Sequence, residues 1–202
     1  SHRIISVGSS TANATALMLK VLDDAFGVEE GSFTSVHAYT SDQSLTDVPT
    51  QGDLRRSRAA MQNIVPQTTW TDEAVEELFP HLKGKFKGIK LNVPVAEVSC
   101  SDLTVQMKRP VKASEVNEVF RSASQTILKG VLDFTDQPIV SSDMNGNPAS
   151  CLFDSLATLV TDDVLLKVIG WYEQGGGISN RIVDLISQVG PQSTTSGDRR
   201  TS

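Results

Sequence analysis

The sequence has few cysteines, no long hydrophobic run and no block of positive charge, and each absence excludes a class of protein. Its 202 residues contain two cysteines, which are too few for a disulfide framework or a zinc site. No apolar stretch reaches the roughly 18 residues that a transmembrane helix needs. Asp and Glu number 24 against 18 Lys and Arg, for a net charge of -6. We therefore expect a soluble domain with no membrane insertion and no nucleic-acid partner.

The length and the 39% of hydrophobic residues suit one sizeable core. Residues 1–189 carry the hydrophobic pattern and are predicted to form that domain. Residues 190–202 lack this pattern and are predicted to be a disordered polar tail. The chain begins with Ser1 and shows neither a signal nor a transit pattern. The compartment is therefore unknown, with cytoplasm and organelle interior both open.

Hydrophobic periodicity predicts alternating helices and strands. Helices are expected from the hydroxyls at residues 9–11 to Phe26, over 71–80, from a Ser114 cap to a stop at Gly130, and over 179–188. The piece 53–63 is expected to be a short helix or irregular. Strands are expected over 31–39, 87–95, 97–109, 138–142, 149–155 and 162–171. This order predicts an α+β domain with a mixed, mostly antiparallel sheet.

Four motifs then relate the chain to a known family. They are SVHAYTSDQ, DLRRSRAAMQNIVPQTT, GIKLNVPVAEVSCSDLTVQMKRPV and WYEQGGGISNRIVDL. They resemble the catalytic domain of phosphorylating glyceraldehyde-3-phosphate dehydrogenases, and the erythrose-4-phosphate dehydrogenase branch is close. The resemblance covers about residues 4 to 189 and implies a seven- to eight-stranded mixed sheet with helices on one side. It also implies a preceding nucleotide-binding domain, which this chain does not contain.

The resemblance assigns a nucleophile and a base to the family's chemistry. The family's cysteine corresponds to Ser10, whose hydroxyl is much less acidic than a thiol. The family's histidine corresponds to His37. We expect Ser10 to serve as a helix cap and His37 to be a retained strand histidine without a proton to remove.

The resemblance also assigns two anion sites, and these are only partly present. The matching residues are Thr40, Asp42, Arg58 and Thr69. Trp70 stands where the family has glycine, Glu73 where it has lysine, and Asn92 where it has arginine. Trp70 fills space that a phosphate would need, Glu73 adds negative charge, and Asn92 lacks the two parallel donors of a guanidinium. We expect all three changes to weaken phosphate binding.

The cofactor contact departs from the family as well. The family uses NAD, and the asparagine that holds its carboxamide corresponds to Gln174, followed by three glycines. We therefore expect no cofactor. Cys100 and Cys151 lie in predicted strands and are expected to be core residues, not nucleophiles.

Three interpretations remain open. The first is a non-catalytic, structural or protein-interaction module, acting in a homo-oligomer or a larger assembly through the sheet face. The second is the catalytic part of a split or truncated NAD-dependent dehydrogenase, which His37 and Arg58 favour. The third is a small-anion sensor that uses Thr40, Asp42 and Arg58.

Overall fold

The computed structural model describes residues 4–49 and 52–189, which form one seven-stranded sheet flanked by helices. The order of strands across the sheet is β2-β3-β1-β4-β7-β6-β5. The helices are α1 (Ser10–Phe26), α2 (Thr71–Leu78), α3 (Ala113–Gln125) and α4 (Gly176–Val189). The strands are β1 (Val28–Ala38), β2 (Val65–Gln67), β3 (Phe86–Val93), β4 (Ser99–Met107), β5 (Leu132–Thr135), β6 (Cys151–Thr161) and β7 (Leu165–Tyr172).

Strand β1 lies inside the sheet between strands that come much later in the chain. It pairs with β3 in parallel and with β4 in antiparallel orientation. Only β1–β3 and β5–β6 are parallel, and the other four neighbouring pairs are antiparallel. The predicted fold class, α+β with a mixed and mostly antiparallel sheet, is confirmed.

The two faces of the sheet differ in what covers them. Along β4 the odd-numbered residues from Ser99 to Met107 are buried, and the even-numbered residues between them are half-buried. Helices α1, α2 and α3 contact the strands on the first face, which we call the covered face. The opposite face, here the open face, carries no α-helix within the described part of the chain. A short 3-10 turn at Ser141–Met144 covers its end.

The core fills the space between the covered face and the helices. Aromatic rings of α3 and β6 stack there, with 3.7 Å between the centroids of Phe120 and Phe153. Helix α1 approaches β7 at Gly170, where an added Cβ would lie 2.7 Å from Sδ of Met18 and 2.6 Å from Sγ of Cys151. This close approach fixes the depth at which α1 lies on the sheet.

Three helix predictions agree with the structure in position and differ at their ends. Helix α3 begins one residue before Ser114, because the Glu115 carboxylate accepts a hydrogen bond of 3.0 Å from the backbone N–H of Lys112. Lys112, not Ser114, is therefore the N-cap. Helix α2 ends at Leu78 and α4 begins at Gly176, each within three residues of the prediction.

The strand predictions in the second half of the chain are only partly confirmed. The predicted strand 149–155 lies in β6, which begins at Cys151 and continues to Thr161. No strand forms over 138–142, because Pro138 lacks an N–H and the Asp143 carboxylate accepts from the Val140 N–H at 2.8 Å, which turns the chain. Strand β5 lies just before this turn instead. The predicted strand 162–171 starts too early, since Asp162 and Asp163 form a turn with φ of 49° and 60°. Strand β2 was not predicted; its three residues lie between the piece 53–63 and the predicted helix over 71–80.

The predicted polar tail at 190–202 lies outside the described residues. Among the residues that the structure describes, no helix is both long and apolar enough to cross a membrane.

Candidate functional site

His37 lies near the end of β1 on the covered face and is buried. Its ring contacts Tyr172 of β7 edge-on, with 6.2 Å between the centroids. Its Nδ1 lies 2.7 Å from the carbonyl oxygen of Ala38. A carbonyl can only accept, so Nδ1 carries the proton and Nε2 keeps its lone pair.

The environment of His37 keeps its ring neutral. Burial lowers the pKa of His37 below its ordinary value of 6.5, and the positive charge of Lys90 lowers it further. The hydrogen bond to Ala38 opposes this shift and is the smaller effect. At pH 7 the imidazole is thus a neutral base with its acceptor at Nε2, as general-base chemistry requires.

Ser10 is the first residue of α1, and it does not cap the helix. The cap is Ser9, whose Oγ accepts a hydrogen bond of 3.1 Å from the backbone N–H of Ala12. Ser9 has extended backbone angles, which the N-cap position needs, whereas Ser10 is already helical. The prediction that Ser10 acts as the cap is corrected to its neighbour.

A buried hydroxyl network connects α1 to the strand of His37. The Tyr172 hydroxyl lies 2.8 Å from Oγ1 of Thr11 and 2.7 Å from Oγ of Ser35. Oγ1 of Thr15 lies 2.9 Å from Oγ of Ser101 on the neighbouring strand. Sequence reasoning missed this network. The signal was available, since small hydroxyl residues alternate into the core at Ser99 and Ser101 of β4.

The four residues assigned to anion binding are bonded within the chain. Thr40 donates from its hydroxyl to Asp42. Oγ1 of Thr69 donates to Oγ1 of Thr71 at 3.0 Å and accepts from the Thr71 backbone N–H. The structure brings Thr40 and Asp42 together but pairs Arg58 with another carboxylate.

Two arginines of the LRRSR segment have different partners. Nε of Arg58 lies 3.3 Å from Oδ1 of Asp47, which also accepts from the backbone N–H of Ala59. Arg56, which lies in the same segment two residues before Arg58, forms the ion pair with Asp42. The guanidinium nearest to Thr40 and Asp42 therefore belongs to Arg56.

Asn92 occupies the position where the resemblance expects an arginine, and it is buried. It lies beside His37 in the β1–β3 register. Its Nδ2 donates to the side-chain oxygen of Gln43, which also accepts from the Thr40 N–H at 3.2 Å. This short amide cannot extend a charged fork into solvent. Gln43 is a further residue that sequence reasoning missed.

Gln174, which the resemblance assigns to the nicotinamide, lies two residues after the end of β7. Nε2 of Gln174 donates to the carbonyl oxygen of Ala38 at 3.3 Å, the same oxygen that His37 uses. Its amide is thus engaged with the backbone of β1. The glycines Gly176 and Gly177 form the first turn of α4.

Trp70 precedes α2 and is 56% exposed. It lines a cleft of about 410 Å³ together with the segment Ser6–Gly8 and Asn13 of α1. An indole thus stands beside the first turns of α1, where the resemblance places a glycine. The indole narrows the approach to the start of that helix.

Both cysteines are shielded from solution chemistry. Burial raises the pKa of Cys100 to about 11 and that of Cys151 to about 12. Nearby carboxylates, Asp102 and Asp133, add to these shifts. A thiol with so high a pKa is a poor nucleophile at neutral pH, in keeping with the predicted core role.

Fold and site together define a dehydrogenase-type catalytic domain, in which a mixed sheet holds a buried histidine beneath the first helix. A family model described as the C-terminal domain of glyceraldehyde 3-phosphate dehydrogenase matches residues 9–174. The chain belongs to this family.

Curated relatives extend the match over nearly the whole chain. The chain is 48% identical over 191 residues to glyceraldehyde-3-phosphate dehydrogenase 2 of Streptomyces avermitilis, covering 95% of this chain and 57% of that protein. It is 50% identical over 188 residues to glyceraldehyde-3-phosphate dehydrogenase 2 of Bacillus subtilis, covering 93% of this chain and 55% of that protein. The chain thus spans little more than half the length of these relatives.

Proposed function

We propose that this chain is a non-catalytic member of its family that serves as a structural or protein-interaction module without a cofactor. One observation carries the proposal: the side chains assigned to anion binding are bonded to other residues of the chain. Thr40 is bonded to Asp42, Arg58 to Asp47 and Thr69 to Thr71. A substrate phosphate would have to break these contacts before it could bind.

The nucleophile position supports the same proposal. His37 offers a neutral base, but Ser10 offers only a hydroxyl, and one imidazole cannot produce much alkoxide from it. An ester formed at Ser10 would also react more slowly with phosphate than a thioester. The base therefore lacks an acidic partner.

The open face supports a role in assembly. Its central residues on β1 and β4 are only half-buried, and apolar side chains at Ile89, Leu156 and Leu165 are exposed. An ion pair of 2.6 Å between Lys167 and Asp102 lies on this face. A flat sheet face with exposed apolar side chains gains free energy when a partner covers it.

Catalysis is tested by measuring NADH formation from glyceraldehyde 3-phosphate, NAD and phosphate. The proteins are the purified chain, Ser10→Cys and Ser10→Cys/His37→Asn. We expect no turnover above background from any of them. Turnover by the unmodified chain, or turnover by Ser10→Cys that the added change His37→Asn abolishes, would contradict the proposal.

Thiol alkylation shows whether the start of α1 could support a nucleophile at all. A cysteine at position 10 would lie at the positive end of a 17-residue helix, which lowers the pKa of a thiol. We expect iodoacetamide to modify Ser10→Cys at residue 10 well before Cys100 or Cys151. Slower reaction at residue 10 than at Cys100 would show that the helix start does not activate a thiol.

Assembly is tested by sedimentation equilibrium. We expect a mass that is a multiple of 21.8 kDa, or incorporation into a larger complex. Thr34→Arg places a bulky charge at the centre of the open face, directly opposite Asp102, and should reduce the mass to one copy. Ser122→Arg, on the exposed side of α3, is the control and should assemble normally. A monomeric parent chain without a partner would contradict the proposal.

The second candidate is the catalytic part of a split dehydrogenase. Two observations favour it: the chain is 48% and 50% identical in sequence to two named dehydrogenases, and the ring of His37 is neutral. The nucleotide-binding half of the Bacillus subtilis relative, co-expressed with this chain, would supply the missing domain. Phosphate-dependent aldehyde oxidation that requires both polypeptides would favour this candidate over the module.

A further inference from the structure

The cleft beside Trp70 has a volume of about 410 Å³ and lies between helices α1 and α2. We call it the α1–α2 cleft. Ala12 and Ala16, one helical turn apart, form its wall on α1. Trp70, Ala74 and Leu78 form its other wall, where they recur every four residues. Trp70 and Leu78 are 56% and 63% exposed, so two large apolar side chains of this wall remain in contact with water.

Trp70 presents its indole to solvent. Within the described residues, no hydrogen bond engages its N–H group, and neither an aromatic ring nor a cation lies over its face. Trp171, the second tryptophan, differs in this respect, since its Nε1 donates to Oδ2 of Asp154 at 3.1 Å. Among aromatic side chains, indole attracts cations most strongly. The exposed indole face therefore favours a cationic ligand.

Helix α2 carries four carboxylates, and they divide between its two sides. Asp72 and Glu76 lie 3.5 and 3.2 Å from Nζ of Lys87, on the side turned towards β3. Glu77 lines the α1–α2 cleft, and Glu73 lies one turn before it along the helix. In the part of the chain that the structure describes, neither Glu73 nor Glu77 forms an ion pair. Two full negative charges thus stand at this cleft.

The positive charge at the cleft is smaller. Lys20, one turn after Ala16 on α1, is paired with Asp24 at 2.7 Å. Among the described residues that line the cleft, none is lysine, arginine or histidine. Helices α1 and α2 both begin here, and each helix start contributes about half a positive charge. Two carboxylates outweigh two half charges, so the α1–α2 cleft favours cations over anions.

We propose that the α1–α2 cleft binds an arginine side chain that belongs to a basic segment of a partner protein. The guanidinium stacks on the exposed face of Trp70 and donates to the Glu77 carboxylate. Apolar neighbours of that arginine in the segment cover Leu78 and the alanines of the two helices. The site rests on the proposed function as a protein-interaction module, and it adds a second surface on the helix-covered side of the sheet.

Arginine within a protein fits this cleft better than lysine or free arginine. A guanidinium is planar, stacks on an aromatic face and presents two parallel donors to a carboxylate, whereas an ammonium is a more strongly hydrated point charge. Free arginine would bring its own carboxylate close to Glu73 and Glu77, and a peptide-bonded arginine has none. Trp70 and Glu73 are also two positions at which the chain departs from the family pattern. A cation site here is therefore a feature of this chain.

An NMR titration of the full chain with a capped peptide of sequence ALRLA tests the site. We expect a saturable shift of the Trp70 indole N–H signal, with a dissociation constant of about 1 mM. The indole signal of Trp171 is an internal control and should not move, because this group is bonded to Asp154. The capped peptides ALQLA and ALELA should leave the Trp70 signal in place. An equal response to ALQLA, or tighter binding of free arginine than of ALRLA, would overturn the proposal.

Variants connect the response to the named residues. Glu77→Gln should weaken binding of ALRLA about fivefold, because the guanidinium loses its carboxylate. Glu118→Gln removes the same charge from the exposed side of α3 and should change binding less than about twofold. Trp70→Leu should weaken binding about threefold or more, read from the Ala74 backbone signal, and tests the ring should Glu77→Gln not fold. Equal effects of Glu77→Gln and Glu118→Gln, or no response of the parent chain at about 10 mM peptide, would overturn the proposal.

Other occupants of the cleft would give different results. A fall in the sedimentation mass of Trp70→Leu would identify a second copy of the chain. A shift of the Trp70 signal in Arg199→Gln/Arg200→Gln without peptide would identify the chain's own end. Either result would overturn the assignment to a partner protein. Assembly of a chain that does not bind ALRLA would contradict this site alone, and turnover by a chain that binds ALRLA would contradict the proposed function alone.

Discussion

The hydroxyl of Tyr172 lies 2.8 Å from Oγ1 of Thr11, so the last residue of β7 is tied to the first turn of α1. Both residues are buried. The same hydroxyl meets Ser35 on β1, two residues before His37. The Tyr172 hydroxyl thus links the start of α1 to β1, the strand that carries His37.

Removing this phenol oxygen should destabilise the domain. Tyr172→Phe leaves the hydroxyls of Thr11 and Ser35 without their shared buried partner, and we expect the free energy of unfolding to fall by about 1–3 kcal/mol. Urea denaturation measures this change. Tyr39→Phe, at a half-buried tyrosine, is the control and should cost less than about 0.5 kcal/mol. Equal effects of the two changes would show that the network contributes no stability.

The capping assignment separates two adjacent serines. Ser9→Ala removes the oxygen that accepts from the Ala12 N–H, and should lower the free energy of unfolding by about 0.5–2 kcal/mol. Ser10→Ala changes a residue inside the first turn and should be close to neutral. Thermal or urea unfolding of both variants distinguishes them. A larger loss of unfolding free energy for Ser10→Ala than for Ser9→Ala would show that Ser10, not Ser9, caps the helix.

The pH dependence of stability should include a contribution from His37. Its pKa in the folded state lies below 6.5 because the ring is buried. Between that lowered pKa and 6.5 the unfolded chain binds more protons than the folded chain. The free energy of unfolding therefore falls as the pH decreases through this window and is unaffected above it.

Two measurements check this contribution. Urea denaturation at several pH values should show a shallower loss of stability for His37→Gln than for the parent chain. An NMR titration of the His37 ring proton should give a midpoint below 6.5. A midpoint at or above this value would contradict the role of burial.

The contact between β1 and β3 depends on a missing side chain. A Cβ at Gly88 would overlap the ring of Phe33, which is itself stacked on Phe86 with 5.6 Å between centroids. Gly88→Ala should therefore cost about 1–3 kcal/mol in unfolding free energy. Gly175→Ala is the control, because its added methyl group would meet open space and its backbone φ does not lie in the positive range that strains alanine. We expect this change to be nearly neutral. An unchanged free energy of unfolding for Gly88→Ala would show that the rings of Phe33 and Phe86 can move aside without cost.

Local sequence signals were sufficient for much of the fold. The apolar stripe of α1 and its stop at Gly27 located that helix to within a residue, because both signals are short-range. The strand after α3 was misplaced for the opposite reason. There, Pro138 and the carboxylate of Asp143 turn a stretch whose residues otherwise favour a strand.

The site was harder to predict than the fold. Motif matching located His37, Thr40 and Asp42, since those positions follow one strand in order. It did not foresee that Arg56 takes Asp42 while Arg58 takes Asp47, because the path of the loop after β1 decides which guanidinium reaches which carboxylate. The contacts of Tyr172 were missed for a related reason. Buried hydroxyls could be read from β4, but Tyr172 lies 161 residues from Thr11 and 137 residues from Ser35, so their pairing could not.

The position of β1 between β3 and β4 also determines how the domain can fold. Its parallel partner begins 55 residues later, at the Gly31–Phe86 pair, and its antiparallel partner later still. Among the paired strands of residues 4–49 and 52–189, only β6 and β7 are joined by a short turn, so that hairpin can form early. Strand β1 can pair with β3 only after the long loop between them has closed. The strand of His37 should therefore acquire its neighbours late, with the helix-covered core. Nascent chains that end before β3 contain the histidine but no sheet to hold it.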